Sequence, residues 1–148
     1  MNLLEEFRMA VNALEKAGIA YAVCGGMAMA AYGHARATQD IDFLIAAPFM
    51  DATLAILAQI GYVEASRPVL PAGRVRMVRA IKVVGEDHLI IDLLEAPDAG
   101  EEAWESRNQL DTDFGKVWFA SKNGLIAMKR RSGRLQDMAD IERLEGGT

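Results

Sequence analysis

The sequence predicts a mixed α/β domain, an α+β arrangement in which helices flank a mixed central sheet. Three observations lead there. Strand-like and helix-like segments are interleaved along the whole chain rather than segregated. The link Gly85-Glu86-Asp87-His88 between two apolar runs suits a hairpin, which requires at least one antiparallel pair. No repeat, low-complexity tract or interdomain linker interrupts the chain, and 148 residues suit a single domain spanning 1–148.

The elements follow in order. Leu3, Leu4, Phe7, Val11 and Leu14 recur at three- and four-residue steps, so the opening stretch reads as an amphipathic helix. Glu5 and Glu6 suit its first turn, and Gly18 suits its end. Ile19 to Cys24 is an apolar run that reads as a buried strand. After Gly25 and Gly26, the stretch from Met27 to Tyr32 is rich in helix formers and reads as a short helix ending near Gly33. Residues 33–38 read as a polar connection. Asp40 to Ile45 alternates and then turns apolar, the pattern of a strand entering the core. Pro48 opens a helix with Met50, Leu54, Leu57 and Ile60 as its stripe, closed by Gly61.

Tyr62 to Ala65 reads as a short strand, and Pro68, Pro71 and Gly73 mark a loop. Val75 to Val84 and Leu89 to Leu94 read as the hairpin strands. A helix is predicted from Ala99 to Asn108 and a last strand from Val117 to Ala120. The C-terminal helices occupy about 121–145. Ser121 caps the first, which runs from about Lys122 to Arg131 with Leu125, Ile126 and Met128 inward. After Gly133 the second carries Leu135, Met138, Ile141 and Leu144 inward.

Composition narrows the function. Hydrophobic residues make up 51% and charged residues 25%, a globular rather than disordered balance. The apolar runs are too short to cross a bilayer, so no membrane partner is expected. No basic segment followed by an apolar core opens the chain, and Cys24 is the single cysteine, so a reducing, cytoplasmic setting is expected. A lone cysteine also excludes an intramolecular disulfide and a cysteine-based zinc cluster. The formal net charge of −5 argues against a large face that binds nucleic acid by bulk charge, although a local basic patch is compatible with it.

Asp40 and Asp42 are two apart at a strand start, so their side chains share one face. Carboxylates held side by side repel unless a cation lies between them, and hard divalent ions take oxygen ligands of this kind. The spacing alone decides nothing: with 21 acids in the chain, chance gives roughly three such pairs. Asp40/Asp42, Asp111/Asp113 and Asp140/Glu142 are three. Context separates the first. Gly25-Gly26 falls between a strand and a helix start, where exposed backbone N–H groups attract phosphate. Asp92 interrupts the apolar run from Leu89 to Leu94, where an unpaired carboxylate is costly to bury. Arg36-Ala37-Thr38 leads into the acid pair, and Arg36 suits a phosphate or a nearby acid.

The order strand, Gly-Gly, helix, Asp-x-Asp on a strand, then a third Asp on a later strand resembles the nucleotidyltransferases of the DNA polymerase beta type. The matching segments are Gly25-Gly26, Asp40-Ile41-Asp42 and Ile91-Asp92-Leu93. The tail from Leu125 to Lys129 and from Gly133 to Ile141 is similar to the C-terminal helices of small bacterial nucleotidyltransferases, including those of abortive-infection toxin–antitoxin systems and lincosamide-resistance proteins. The resemblance runs from about Tyr21 to Leu144.

It implies a nucleotidyltransferase fold and transfer of a nucleoside monophosphate from an NTP to a hydroxyl-type acceptor (RNA, protein or small molecule). It implies Mg²⁺, or Mn²⁺, held by Asp40, Asp42 and Asp92, with Asp92 helping to deprotonate the attacking hydroxyl. Gly25, Gly26, Met27, Arg36, Thr38 and Lys129 fall at nucleotide-binding positions. A toxin of a toxin–antitoxin pair is one setting that fits, with an antitoxin or a second copy of the chain as partner. Many active members carry Ser where this chain has Met27, which cannot donate a side-chain hydrogen bond to phosphate. A catalytically inactive nucleotide-binding or protein-interaction module of the same fold is therefore the rival reading. No separate substrate domain is visible, so the acceptor site is expected from a partner, a second copy or the tail helices.

Other residues read more plainly. Arg74, Arg76, Arg79 and Lys82 form a basic stripe before the Asp92 strand, suited either to an anionic substrate or to guarding a solvated edge. Lys129, Arg130, Arg131 and Arg134 complement a helix C-terminus. Gln136, Asp137 and Asp140 are placed to tie the two tail helices together. His34 and His88 read as surface loop positions, Cys24 as inert core, and Trp104 and Trp118 as core or interface aromatics.

Overall fold

The computed structural model describes residues 1–34, 38–67 and 77–146. The helices are α1 (Leu3–Ala17), α2 (Gly25–Ala31), α3 (Met50–Ala58), α4 (Glu101–Glu105), α5 (Lys122–Ser132) and α6 (Leu135–Glu145). The strands are β1 (Ala22–Cys24), β2 (Asp40–Ala46), β3 (Val63–Ser66), β4 (Met77–Val84), β5 (Asp87–Ala96), β6 (Asn108–Thr112) and β7 (Gly115–Phe119). They form one seven-stranded sheet in the order β3-β4-β5-β2-β1-β7-β6. The pairs β2–β5 and β1–β7 are parallel and the others antiparallel, so the sheet is mixed as predicted.

Alternation on β2 sets the two sides of the molecule. Ile41, Phe43 and Ile45 are fully buried, and the Phe43 ring stacks on Phe7 of α1. That side, covered by α1 with α3 beside it, holds the aromatic core of Phe7, Tyr21, Phe43 and Phe119. Asp40 and Asp42 therefore face the opposite side, toward α2. α1 begins on Asn2, whose side chain accepts a hydrogen bond from the Glu5 N–H, and ends on Gly18 in the left-handed region. Ser121 caps α5 as expected, accepting from the Gly124 N–H.

The structure departs from the sequence reading at several points. The β1 strand is only Ala22–Cys24, and α2 begins at Gly25 itself rather than after the glycines. A 3₁₀ turn at Ala47–Phe49 takes Pro48, and α3 starts at Met50. The predicted Ala99–Asn108 helix stops at Glu105, and Asn108–Thr112 becomes an edge strand. Arg107 marks the change: its guanidinium lies 4.2 Å from the Trp104 ring and 5.4 Å from the Trp118 ring. β4 is not an edge, because β3 lies outside it, so Arg79 and Lys82 do not guard a solvated border. Leu4, Leu135 and Met138 are exposed rather than inward. On α6 the buried face belongs to Asp137, Asp140, Ile141 and Leu144, because ion pairs with α5 take the positions expected for Leu135 and Met138.

Candidate functional site

Strand register assembles the site. Parallel pairing of β2 with β5 sets Asp42 directly beside Asp92 and Asp40 beside Ile90. On one flank, β1 sets Cys24 beside Asp42. On the other, β4 sets Arg79 beside Asp92. A transverse row, Cys24–Asp42–Asp92–Arg79, thus crosses four strands on the face away from α1, with neighbouring strands about 4.8 Å apart. Asp40 lies two residues along β2 on the same face.

The diglycine is fitted to this row. Gly25 has φ +65°, and a Cβ built on it would lie 2.0 Å from the Asp42 Oδ2 atom. A Cβ on Gly26 would lie 2.9 Å from Cβ and Oγ1 of Thr38. Each glycine is therefore required by close approach of a predicted site residue, and Gly25 by its backbone conformation as well. Thr38 in turn ties down the start of β2: its hydroxyl donates to the Asp40 carbonyl (3.2 Å), and the Asp40 N–H reaches the hydroxyl at 3.4 Å. Met27 is half-buried against the core.

Asp92 is buried, and its charge is met by Arg79. The Arg79 Nε–H donates to Oδ1 at 2.9 Å and Nη2–H to Oδ2 at 3.1 Å, a two-pronged pair. The Arg79 pKa is raised, first by that hydrogen bonding to Asp92, and also by the charges of Asp40 and Asp42. Burial first, then the carboxylate of Asp42 and more weakly that of Asp92, push the Cys24 thiol well above its ordinary range, against a lowering by Lys129. Cys24 is thus a buried thiol at the end of the acid row.

The α5–α6 hairpin approaches the row. Lys129 is buried, and its ammonium donates to Asp140 Oδ2 at 2.9 Å with Asp137 Oδ1 at 3.7 Å. Arg134 grips Asp137 through two N–H donors at 2.7 and 3.3 Å. Its pKa is raised mainly by Asp137, with Asp42 also contributing, so the row lies within its electrostatic reach. Asp137 and Asp140 join the tail helices as the sequence suggested, whereas Gln136 is exposed.

The structure therefore brings together Gly25, Gly26, Thr38, Asp40, Asp42 and Asp92, and places Lys129 in a buried ion-pair network rather than on an open surface. Arg36, Arg74 and Arg76 lie outside the described residues, as do Pro68, Pro71 and Gly73. The pairing of Arg79 with Asp92 and the approach of Arg134 to Asp42 were not legible in the motif. The first had a signal: a two-residue turn at Gly85-Glu86 pairs Val84 with Asp87 and carries Arg79 opposite Asp92. Among the described residues, no group of three His, Cys, Asp or Glu side chains is arranged to hold a metal ion. The donor set of the row is nonetheless of the right kind for a hard divalent cation, since it is built from carboxylate oxygens on adjacent strands.

Fold and row together define a class: this is the nucleotidyltransferase fold. The lincosamide antibiotic adenylyltransferase LnuA, solved with lincomycin bound, superposes with a TM-score of 0.68 at 17% identity, covering 97% of this chain and 97% of that one. ANT(2'')-Ia in complex with adenylyl-2''-tobramycin gives 0.63 at 14% identity, covering 93% of this chain and 84% of that one. An antigenic nucleotidyltransferase-like protein from Paracoccidioides brasiliensis gives 0.60 at 17% identity, covering 94% and 74%. No protein-family profile matches the sequence, and no curated protein matches it. Among the described residues, no helix is long and apolar enough to cross a membrane.

Proposed function

We propose that this chain is a nucleotidyltransferase that moves a nucleoside monophosphate from an NTP to a hydroxyl on a small-molecule acceptor, with pyrophosphate as the leaving group and Mg²⁺ or Mn²⁺ as cofactor. One observation carries the reading: Asp42 and Asp92 are cross-strand neighbours, with Asp40 on the same face and Gly25 against Asp42. The seven strands share one sheet and one core, which supports a single domain.

In this reading Asp40, Asp42 and Asp92 hold the cation. Bound there, a divalent ion supplies charge neutralisation of the triphosphate and stabilises the attacking and leaving oxygens. Gly25, Gly26 and Met27 offer backbone N–H groups at the start of α2, free of intrahelical partners, to phosphate oxygens. Thr38 fixes the entry of β2, so Asp40 and Asp42 arrive in one orientation. Asp92 accepts the proton of the acceptor hydroxyl. Lys129 acts by position: it binds α5 to α6 and so carries Arg134 toward Asp42. Arg36 is proposed as a phosphate contact from the sequence resemblance alone.

A small acceptor is favoured over RNA by the net charge of −5. It is also favoured by analogy with LnuA, which is nearly matched in length and described as acting on lincosamide antibiotics. The test is label transfer. The protein is incubated with each α-labelled NTP, Mg²⁺ or Mn²⁺, and a panel of hydroxyl-bearing acceptors that includes a lincosamide, an aminoglycoside and RNA. Transfer that is lost in Asp42→Asn is the expected result. Tight NTP binding without transfer to any acceptor would replace the enzyme with a nucleotide-binding module.

A further inference from the structure

The two prongs of Arg79 fall on the residue that the proposed chemistry needs open. Both carboxylate oxygens of Asp92 accept from Arg79, at 2.9 and 3.1 Å. A carboxylate offers about four lone-pair sites in all, so a two-pronged guanidinium takes about half of them. It also sets a full positive charge beside the place a cation would enter. That charge is felt by Asp40 and Asp42 as well as by Asp92. A divalent ion and a guanidinium side by side in a half-buried site repel each other strongly.

The two partners are not equally mobile. The Asp92 side chain is 7% exposed and that of Arg79 39% exposed. Asp92 is enclosed in the sheet, whereas Arg79 is part-exposed and is the partner that can give way. Without a cation, the guanidinium offsets the cost of a buried carboxylate beside two others.

We infer that Arg79 is the internal counter-ion of Asp92: it occupies that carboxylate in the unloaded protein and must release it when a divalent cation binds. The inference rests on the reading of Asp40, Asp42 and Asp92 as a cation site and adds a competitor to it. Arg79 is a positioning residue here, since it acts through Asp92. The consequence is weak binding of a bare cation, so that the cation arrives best already attached to a triphosphate.

The experiment is a titration of the full chain with Mn²⁺ alone, read by electron paramagnetic resonance of the free ion and by calorimetry, without nucleotide. Arg79→Gln is expected to bind Mn²⁺ about fivefold more tightly than the unsubstituted chain, the scale set by losing one partly exposed ion-pair competitor. Arg79→Lys, which keeps the charge without the fork, is expected to fall between the two. The gain is expected to vanish in the double variant Arg79→Gln/Asp92→Asn. The melting temperature of Arg79→Gln without metal should fall, because Asp92 loses its partner, and Mn²⁺ should raise it by more than it raises the unsubstituted protein.

Equal or weaker Mn²⁺ binding by Arg79→Gln and Arg79→Lys would overturn the competitor role while leaving the cation site intact. Absence of Mn²⁺ binding in every variant, with and without ATP, would instead remove the cation site and the inference with it. Should Arg79→Gln fail to fold, Arg79→Lys alone decides: binding no tighter than that of the unsubstituted chain overturns the proposal.

Discussion

Arg79 and Lys82 stand three residues apart on β4 and point to opposite faces of one sheet, and each binds a buried carboxylate. On the α1 side, the Lys82 ammonium donates to Glu6 at 2.8 Å, and the Tyr62 hydroxyl donates to the same oxygen at 3.0 Å. Lys82 also lies 5.7 Å over the Tyr62 ring. Side-chain exposure is 8% for Glu6 and 17% for Lys82, so the group is closed and its charges match one for one. On the other side, Arg79 is part-exposed and Asp92 stands in a row with Asp42, with Asp40 on the same face. A buried acid with a closed partner set is a structural fastener. A buried acid within an acidic row whose guanidinium partner reaches solvent is fit for a ligand. Burial and pairing are common to both; the neighbouring carboxylates and the part-exposed guanidinium distinguish them.

Removing an acid from each face breaks the comparison in opposite ways. Asp42→Asn is expected to lower transfer by at least about a thousandfold in the labelled-NTP assay, an effect on activity far larger than any on the urea midpoint. Glu6→Gln should do the reverse. It strands Lys82 and weakens the bond from Tyr62, costing about 3 kcal/mol by urea denaturation, with transfer by the folded fraction unaltered. A large activity loss in Glu6→Gln without a stability loss would dissolve the distinction.

Gly25→Ala tests the seating of Asp42. The added methyl would lie 2.0 Å from its carboxylate, on a backbone at φ +65°. Strain of about 1–3 kcal/mol is expected. Displacement of Asp42 should lower transfer about a hundredfold, more than the stability loss alone explains.

A smaller effect concerns pH. Burial pushes the Asp137 carboxyl up, but hydrogen bonds from Arg134 and Ser132 and the charges of Arg134 and Lys129 outweigh it and hold the pKa below the ordinary value. A depressed folded pKa contributes stability above the unfolded value, about pH 4, and that contribution is lost as pH falls through the folded value. Asp137→Asn should therefore flatten the acid limb of stability below about pH 4 in urea titrations, and an unchanged limb would contradict the assignment. The smallest effect is on Cys24. Its buried, raised thiol should stay unreactive to disulfide exchange reagents in the native protein and react only on unfolding.

Much of this was legible in the sequence because the signals were local. The β2 alternation placed Asp40 and Asp42 on one face, the apolar run around Asp92 marked a core strand, and Ser121 announced α5. The edge strand β6 was hidden, since Asn108, Gln109 and Asp111 are exposed and leave little apolar period to read. The outward turn of Leu135 and Met138 was hidden because Lys129, Asp137 and Asp140 claim the buried face through ion pairs, which an apolar count cannot see. The predicted four-residue link at Gly85–His88 sets Arg79 opposite Leu94 rather than Asp92. The observed two-residue turn corrects it and brings Arg79 to Asp92.

The central claim is that the cation and triphosphate bind on the acid face and not on the fastener face. The most direct measurement adds a small fraction of Mn²⁺ with ATP to isotope-labelled protein and maps the loss of backbone amide signals. The account predicts the strongest loss at Gly25, Gly26, Asp40, Asp42 and Asp92, with Glu6, Tyr62 and Lys82 retained longest. Strongest loss around Glu6 and Lys82, or an even loss over the whole chain, would contradict it.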